Sequence, residues 1–490
     1  MPVRATNRGL EVDKILACVS GSYCYLPARG SKRAQADIPS TVVTLELSRT
    51  PLLTDFYELT MLQAYYEHGM LGSAVFELFV RQGKNPGKRG FYVSAGLEQA
   101  LEWLEQLRFQ PAELDWVAGC GFFQPEFVDR LAALRFTGDI HALPEGSVFF
   151  PEEPILRVSA SLPEAQLVES RLMNILHYQS LIATKAARCR LAAQQRSLVD
   201  FGLRRAHAGE AALWAARATY IGGFNGSATC LANAYYGIPV MGTMAHSFIL
   251  AHRSETEAFL RFARSHPDNV TLLIDTYDTE AAARKVVEAA TELAREGIRI
   301  KGVRIDSGNL AEHARRVRTI LDEGNLSEAA ILVSGGLDEY QIRDLVASGA
   351  PIDGFGVGSK VNTSADLPFL DSAYKLHQFE GKPCGKRSEG KPDVPGTKQI
   401  FRQLDADEMM LGDIIGLEGE HIDGQPLLQP MMQSGRRLGA PEPLQVMRSR
   451  LFTNLAALPE VYLRLEDAPV FPVTFSEELS ALRPETRKGE

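Results

Sequence analysis

The sequence predicts an α/β protein built on parallel strands with crossover helices, and three observations carry that prediction. From about residue 197, apolar runs of strand length alternate with segments of helical period, which is the pattern of βα units in a parallel sheet. Several of those runs lead into loops that carry glycine, arginine or carboxylate residues, where such folds expose chemistry. The chain has 490 residues, 45% hydrophobic and 23% charged. That is the composition of a globular protein too long for one ordinary core, so two or three domains are expected.

Residues 1–48 lack sustained periodicity and are expected to form a poorly ordered extension. Thr54 or Asp55 is placed to cap a helix carrying Phe56, Leu59, Met61, Leu62, Tyr65 and Tyr66, at roughly helical spacing. Residues 74–81 read as a strand, 95–107, 111–118 and 124–134 as helices, and 146–150 and 154–158 as short strands. A helix follows from about 163. The alternating region then offers strands at 197–201, 220–223, 238–242, 270–275, 298–305, 330–334 and 352–356, with helices at 278–296, 309–322 and 338–348. So many units suggest a barrel more than an open sheet. After Asp371 come mixed strand and loop, a Lys-, Pro- and Gly-rich stretch at 381–398, and a polar tail from 475 that reads as loose.

The formal net charge is −9, which argues against a nucleic-acid or anionic-membrane surface, so an anionic substrate must be held by local arginines and lysines. The six cysteines include no Cys-x-x-Cys pair and no His cluster, which speaks against zinc and a disulfide framework and for a reducing cytoplasm. No apolar run approaches the ~20 residues of a membrane span.

Chemistry concentrates in a few segments. Gly242-Thr243-Met244-Ala245-His246-Ser247 places an imidazole just past the apolar run Ile238–Met241, and neutral imidazole is a nucleophile and proton carrier near neutral pH. Arg304 and Asp306 alternate with Val303 and Ile305, so both project to one face; a buried salt bridge is the alternative reading. Arg204 and Arg205 follow a strand and are suited to bidentate contact with phosphate or carboxylate, or to a surface ion pair. Gly335-Gly336 and Gly358-Ser359 either make tight turns or present backbone N–H groups to a phosphate. The Walker and Gly-x-Gly-x-x-Gly patterns are absent. Phe201 and Tyr57 read first as core or interface aromatics. Arg81, Lys375, Lys386, Arg387, Lys391 and Lys398 read as solvated charges unless they face one cavity.

Taken together, Leu-Thr-Asp-Phe-Tyr-Glu-Leu-Thr-Met (53–61), Asp-Phe-Gly-Leu-Arg-Arg (200–205), Gly-Gly-Phe-Asn-Gly-Ser (222–227), Gly-Thr-Met-Ala-His-Ser-Phe (242–248), Gly-Val-Arg-Ile-Asp-Ser-Gly (302–308) and Pro-Gly-Thr-Lys (395–398) resemble the nicotinate phosphoribosyltransferases, from about Leu52 to Arg402. The resemblance implies an irregular, TIM-like α/β barrel of the type II phosphoribosyltransferase fold over 176–374. It also implies a mixed α/β domain from both ends of the chain, 49–175 and 375–475, with 476–490 left as tail. It implies ATP-coupled synthesis of nicotinate mononucleotide from nicotinate and 5-phosphoribosyl-1-diphosphate (PRPP) in NAD salvage, with Mg2+, in a homodimer with shared sites. His246 matches a transiently phosphorylated histidine. Tyr57, from the neighbouring subunit, Phe201, Thr243 and Arg304 match nicotinate contacts. Arg204, Asp306, Gly335, Gly336, Gly358 and Ser359 match the phosphoribosyl site, where relatives commonly have Thr at 359. Arg81 and Lys375 match basic residues near the phosphates; the metal ligands stay unassigned. Ala228 stands where the nicotinamide-specific enzyme carries an aspartate, which is compatible with an acidic pyridine. A nicotinamide-specific transferase and a non-catalytic barrel that binds a phosphorylated metabolite are the alternatives.

Overall fold

The computed structural model describes residues 49–82, 89–386 and 394–482. The expectation for 1–48 lies outside these residues, as do Arg387 and Lys391. A seven-stranded sheet joins both ends of the chain. Strand Ser73–Val80 pairs antiparallel with Ser372–Phe379 on one side and with Pro154–Ser161 on the other. Asp139–Ala142 and Gln429–Gln433 extend the sheet.

Every residue of Ser73–Val80 except the first is buried, so both faces are covered and the Glu77 carboxylate is shielded from solvent. It accepts hydrogen bonds from the Lys398 backbone N–H at 2.9 Å and from Lys398 Nζ at 2.6 Å. Lys398 is therefore buried and paired, contrary to its reading as a solvated charge, because a buried carboxylate requires a cation. In the four-stranded sheet that follows, Arg402 grips Asp413 through Nε at 3.0 Å and a terminal nitrogen at 2.7 Å. The tail expected to be loose from 476 includes the helix Glu477–Ala481, capped by Ser476 and anchored by buried Leu479.

Helix Glu169–Ala193 crosses the expected domain boundary at 175 and buries one polar stripe, including Lys185 and Arg188, against the second unit. That unit holds six parallel strands in the spatial order 226–227, 197–200, 354–357, 330–333, 302–305, 271–273. Val303, Ile305, Ile331, Val333, Phe355 and Val357 form its core. Asp278, Asn309 and Asp338 cap the crossover helices through side-chain bonds to backbone amides, each satisfying donors that the helix itself leaves unpaired.

The sheet curls without closing. The expected strand at 220–223 is the end of helix Gly209–Ile221 and its turn. The expected strand at 238–242 is extended chain that meets the sheet through one bridge, Ser227 to Val240. Between that edge and Thr271–Leu273 no hydrogen-bonded strand pair is formed among the described residues, so the barrel is a half-barrel.

Candidate active site

Carboxyl ends of parallel strands gather their following loops at one end of a barrel, and here that end collects the residues singled out by motif. Arg304 sits one residue before the end of strand Gly302–Ile305, its side chain 14% exposed. Its Nε donates to Ser334 Oγ at 3.0 Å, and one terminal nitrogen donates to Thr243 Oγ1 at 3.0 Å and to the Met244 carbonyl at 3.3 Å. Its other terminal nitrogen lies 3.4 Å from Asp306 Oδ1. Ser334 donates in turn to Asp306. Arg304, Thr243, Ser334 and Asp306 thus form one hydrogen-bonded cluster.

The Phe201 ring lies 5.5 Å from the Arg304 guanidinium carbon, a cation–π distance. It can lie there because position 356 is glycine: a Cβ would come within 2.5 Å of the ring carbons. Gly335 meets the cluster from beneath. With φ +102°, it brings the chain so close to Asp306 that a Cβ would stand 2.1 Å from that residue's carbonyl oxygen. Only glycine combines that conformation with that approach.

His246 begins the short helix His246–Leu250 and is half-buried. Its Nδ1 lies 3.1 Å from Thr276 Oγ1. The neighbouring Asp275 accepts from the Asp306 backbone N–H at 3.0 Å and from Ser307 Oγ at 2.6 Å through one oxygen. Its other oxygen, Oδ1, is buried without a hydrogen-bond partner. His246 and Arg304 therefore flank the same loops. Asp275 and Thr276 were not legible as site residues, because a short apolar run followed by Asp and Thr reads as an ordinary strand end.

Asp200 organises the first loop. Buried, it accepts from the Gly202 N–H and from Asn362 Nδ2 at 2.8 Å each, and from Ser227 Oγ at 2.8 Å; burial raises its pKa despite these bonds. This fixes the turn Leu203–Arg205, where Arg204 is exposed and Arg205, not Arg204, donates to Ser359 Oγ at 3.2 Å. Gly358 caps the short helix that starts at Ser359. Ala228 is exposed at the same rim, its N–H bonded to the Asp200 carbonyl at 2.8 Å.

The remaining residues sit in the other domain. Arg81 bonds Asp371 at 2.9 Å through its side chain. In the antiparallel register Glu77 faces Lys375 and Val80 faces Ser372, so Arg81 and Lys375 share a face. Lys375 Nζ lies 5.4 Å from the Phe79 ring. Tyr57, on helix Phe56–Glu67, is 43% exposed beside Phe56, Phe122 and Leu53, also exposed.

Family models match nearly the whole described chain. The NAPRTase N-terminal domain matches residues 52–177, the nicotinate phosphoribosyltransferase (NAPRTase) family 196–395, and its C-terminal domain 421–483. Nicotinate phosphoribosyltransferase pncB2 of Mycobacterium tuberculosis is 45% identical over 438 residues, covering 88% of this chain and 94% of the relative. The nicotinate phosphoribosyltransferase of Bacillus subtilis is 39% identical over 417 residues, covering 83% and 82%. The crystal structure of human nicotinic acid phosphoribosyltransferase superposes with a TM-score of 0.78 at 28% identity, covering 88% of this chain and 99% of that one. With its glycine-floored half-barrel and these matches along its length, the chain belongs to the nicotinate phosphoribosyltransferase family.

Proposed function

We propose that this chain is a nicotinate phosphoribosyltransferase of NAD salvage, which joins nicotinate to PRPP with release of diphosphate. The observation that carries the reading is the Arg304 cluster: a guanidinium held over an aromatic ring by hydroxyls, beside glycine-rich loops, suits a flat anion next to a sugar phosphate. The pyridine ring stacks on Phe201, its carboxylate meets Arg304 and Thr243, and its nitrogen is held towards the anomeric carbon. Bond formation from that nitrogen accompanies cleavage of the bond from the anomeric carbon to diphosphate. Holding the two reactants in line contributes ~7–11 kcal/mol in favourable cases. The exposed rim at Ala228 adds no negative charge against nicotinate, which favours the acid over nicotinamide. Gly335, Gly336, Gly358 and Ser359, with Arg204 and Arg205, receive the phosphoribosyl phosphate, and Asp306 the ribose hydroxyls.

ATP is read as a co-substrate. If Nδ1 of His246 carries its proton towards Thr276, Nε2 keeps the lone pair that attacks the γ-phosphate, and ADP leaves. Mg2+ fits the donors present. Asp275 has a buried oxygen without a partner, and Asp306 and Ser307 stand beside it. Among the described residues no group of three or more His, Cys, Asp or Glu could cage a metal by itself, which suits an ion commonly held by one or two carboxylates and substrate phosphates. When bound, it would offset charge on the departing diphosphate. Arg81, Lys375 and Tyr57 are read as supplied by a second copy, and the exposed aromatic face around Tyr57 supports that pairing.

Incubation with nicotinate, PRPP, Mg2+ and ATP is expected to yield nicotinate mononucleotide and diphosphate. Conversion of nicotinamide in preference, or of neither pyridine, would overturn the reading. His246→Ala is expected to lose stimulation by ATP and the accompanying ATP hydrolysis while keeping slow transfer; unchanged hydrolysis would remove His246 from that role.

A further inference from the structure

A pair of acids behind Tyr57 takes no part in the phosphoribosyl transfer itself. Glu58, the next residue on helix Phe56–Glu67, is fully buried. Its carboxylate and that of Glu169, the first residue of helix Glu169–Ala193, share one donor. Gln166 Nε2 lies 2.9 Å from Glu58 Oε2 and 2.8 Å from Glu169 Oε2. A primary amide nitrogen has two N–H bonds, so Gln166 gives one to each acid and draws them side by side.

Among the described residues, the groups that bear most on the pair are acids, hydroxyls and an amide. Tyr57, Tyr65 and Asp55 face the pair from the first helix and its cap, Ser170 from the long helix, and Tyr374 from strand Ser372–Phe379. Nearby cations are turned elsewhere: Arg171 pairs with Glu210, and Arg130 lies over Tyr66. A buried carboxylate and a half-buried one in such a place resist joint ionisation. Burial, the largest cause, pushes the Glu58 carboxyl up to about 7 and raises Glu169 as well. The Tyr57 side chain interacts with both acids and with Ser170.

We propose that Glu58 and Glu169, bridged by Gln166, are positioning residues that hold the Tyr57 ring against the pyridine substrate, and that one proton kept by the pair governs how firmly they do so. The inference rests on the reading of Tyr57 as a nicotinate contact. With one proton present, the pair carries a single charge, and the Tyr57 hydroxyl donates to the ionised member. Loss of that proton leaves like charges that push apart, release the ring and add negative charge behind the place where a carboxylate substrate arrives. Nicotinate binding should suffer more than PRPP binding.

The test is a pH series of both Michaelis constants in the full-length enzyme. In the unaltered protein the nicotinate KM is expected to rise about fivefold between about pH 6 and about pH 8, as expected for one added like charge at close range, with a smaller change for PRPP. Glu58→Gln retains an uncharged hydrogen-bonding group and should hold the nicotinate KM flat near its low-pH value. Tyr57→Phe should also lose the step, at a higher KM. Glu58→Ala should raise the nicotinate KM at every pH, with thermal melting reporting any loss of fold. A Glu58→Gln enzyme that keeps the full pH step, or a Glu58→Ala enzyme whose two KM values rise together, overturns the proposal. Failure of the unaltered protein to use nicotinate and PRPP would instead overturn the functional reading beneath it.

Discussion

The barrel mouth and the antiparallel sheet beside it both hold charges on strands, and they treat them in opposite ways. At the mouth, Arg304 spreads its donors over two hydroxyls and a carbonyl, with its carboxylate neighbour at 3.4 Å. Asp275 keeps a buried oxygen without a partner. In the seven-stranded sheet Glu77 takes two bonds from Lys398, and in the four-stranded sheet next to it Arg402 is bidentate to Asp413. A guanidinium steadied by neutral groups retains charge for an incoming anion, whereas a cation fully matched by a buried carboxylate has none to offer. Arginine and lysine at strand positions are therefore not evidence of a site until their partners are known.

The largest effects should separate the two regions by what they damage. Lys398→Ala leaves the buried Glu77 carboxylate without its ammonium partner, keeping only the backbone N–H at 398, and loss of one member of such a pair costs about 3–5 kcal/mol. Urea unfolding should show it, whereas Arg304→Ala leaves its carboxylate neighbour Asp306 32% exposed and should shift the same curve by less than about 1 kcal/mol. Comparable stability losses in both variants would erase the distinction.

Gly335→Ala probes the mouth through its backbone. Its Cβ would meet the Asp306 carbonyl at 2.1 Å, so the loop must move, and a misplacement of about 1 Å can cost roughly 100-fold in turnover. Steady-state kcat/KM measures it; activity within about twofold of the unaltered enzyme would mean that the approach of these loops is unimportant.

A smaller effect belongs to the sheet. Burial, with Lys398 nearby, pushes His377 down to about 3. Its neutral form is thus favoured in the folded protein, while an unfolded chain takes up a proton near pH ~6.5. This contribution to stability is whole above about pH 6.5 and is lost as pH falls towards about 3. His377→Gln should flatten the acid side of a plot of unfolding free energy against pH; an unchanged slope would mean that His377 is not buried neutral.

The smallest is Ser359→Thr, which keeps the hydroxyl that accepts from Arg205 at 3.2 Å. The PRPP KM should stay within about twofold, in line with a surface change that preserves its hydrogen bond.

Much of the mouth was legible because its residues come in short contiguous motifs. Arg304 and Asp306 alternate on one strand, and Gly335-Gly336 and Gly358-Ser359 follow the next two. What escaped depends on pairing across long sequence distances or on elements too short to show a period. Lys398 meets Glu77 from 321 residues away, and nothing local marks either as buried. Strand Gly226–Ser227 has two residues, while 220–223 is apolar because helix Gly209–Ile221 is buried along most of its length. The run at 238–242 has strand composition but finds only the bridge at Val240. Asp275 and Thr276 stand beside recognisable motifs and acquire meaning only when the loops converge.

The most direct measurement is the pair of Michaelis constants of Arg304→Ala set against those of the unaltered enzyme. A guanidinium that receives the nicotinate carboxylate over Phe201 predicts a nicotinate KM raised by at least about tenfold, the equivalent of ~1.4 kcal/mol, with the PRPP KM changed far less. Equal changes in both constants, or none in either, would contradict it.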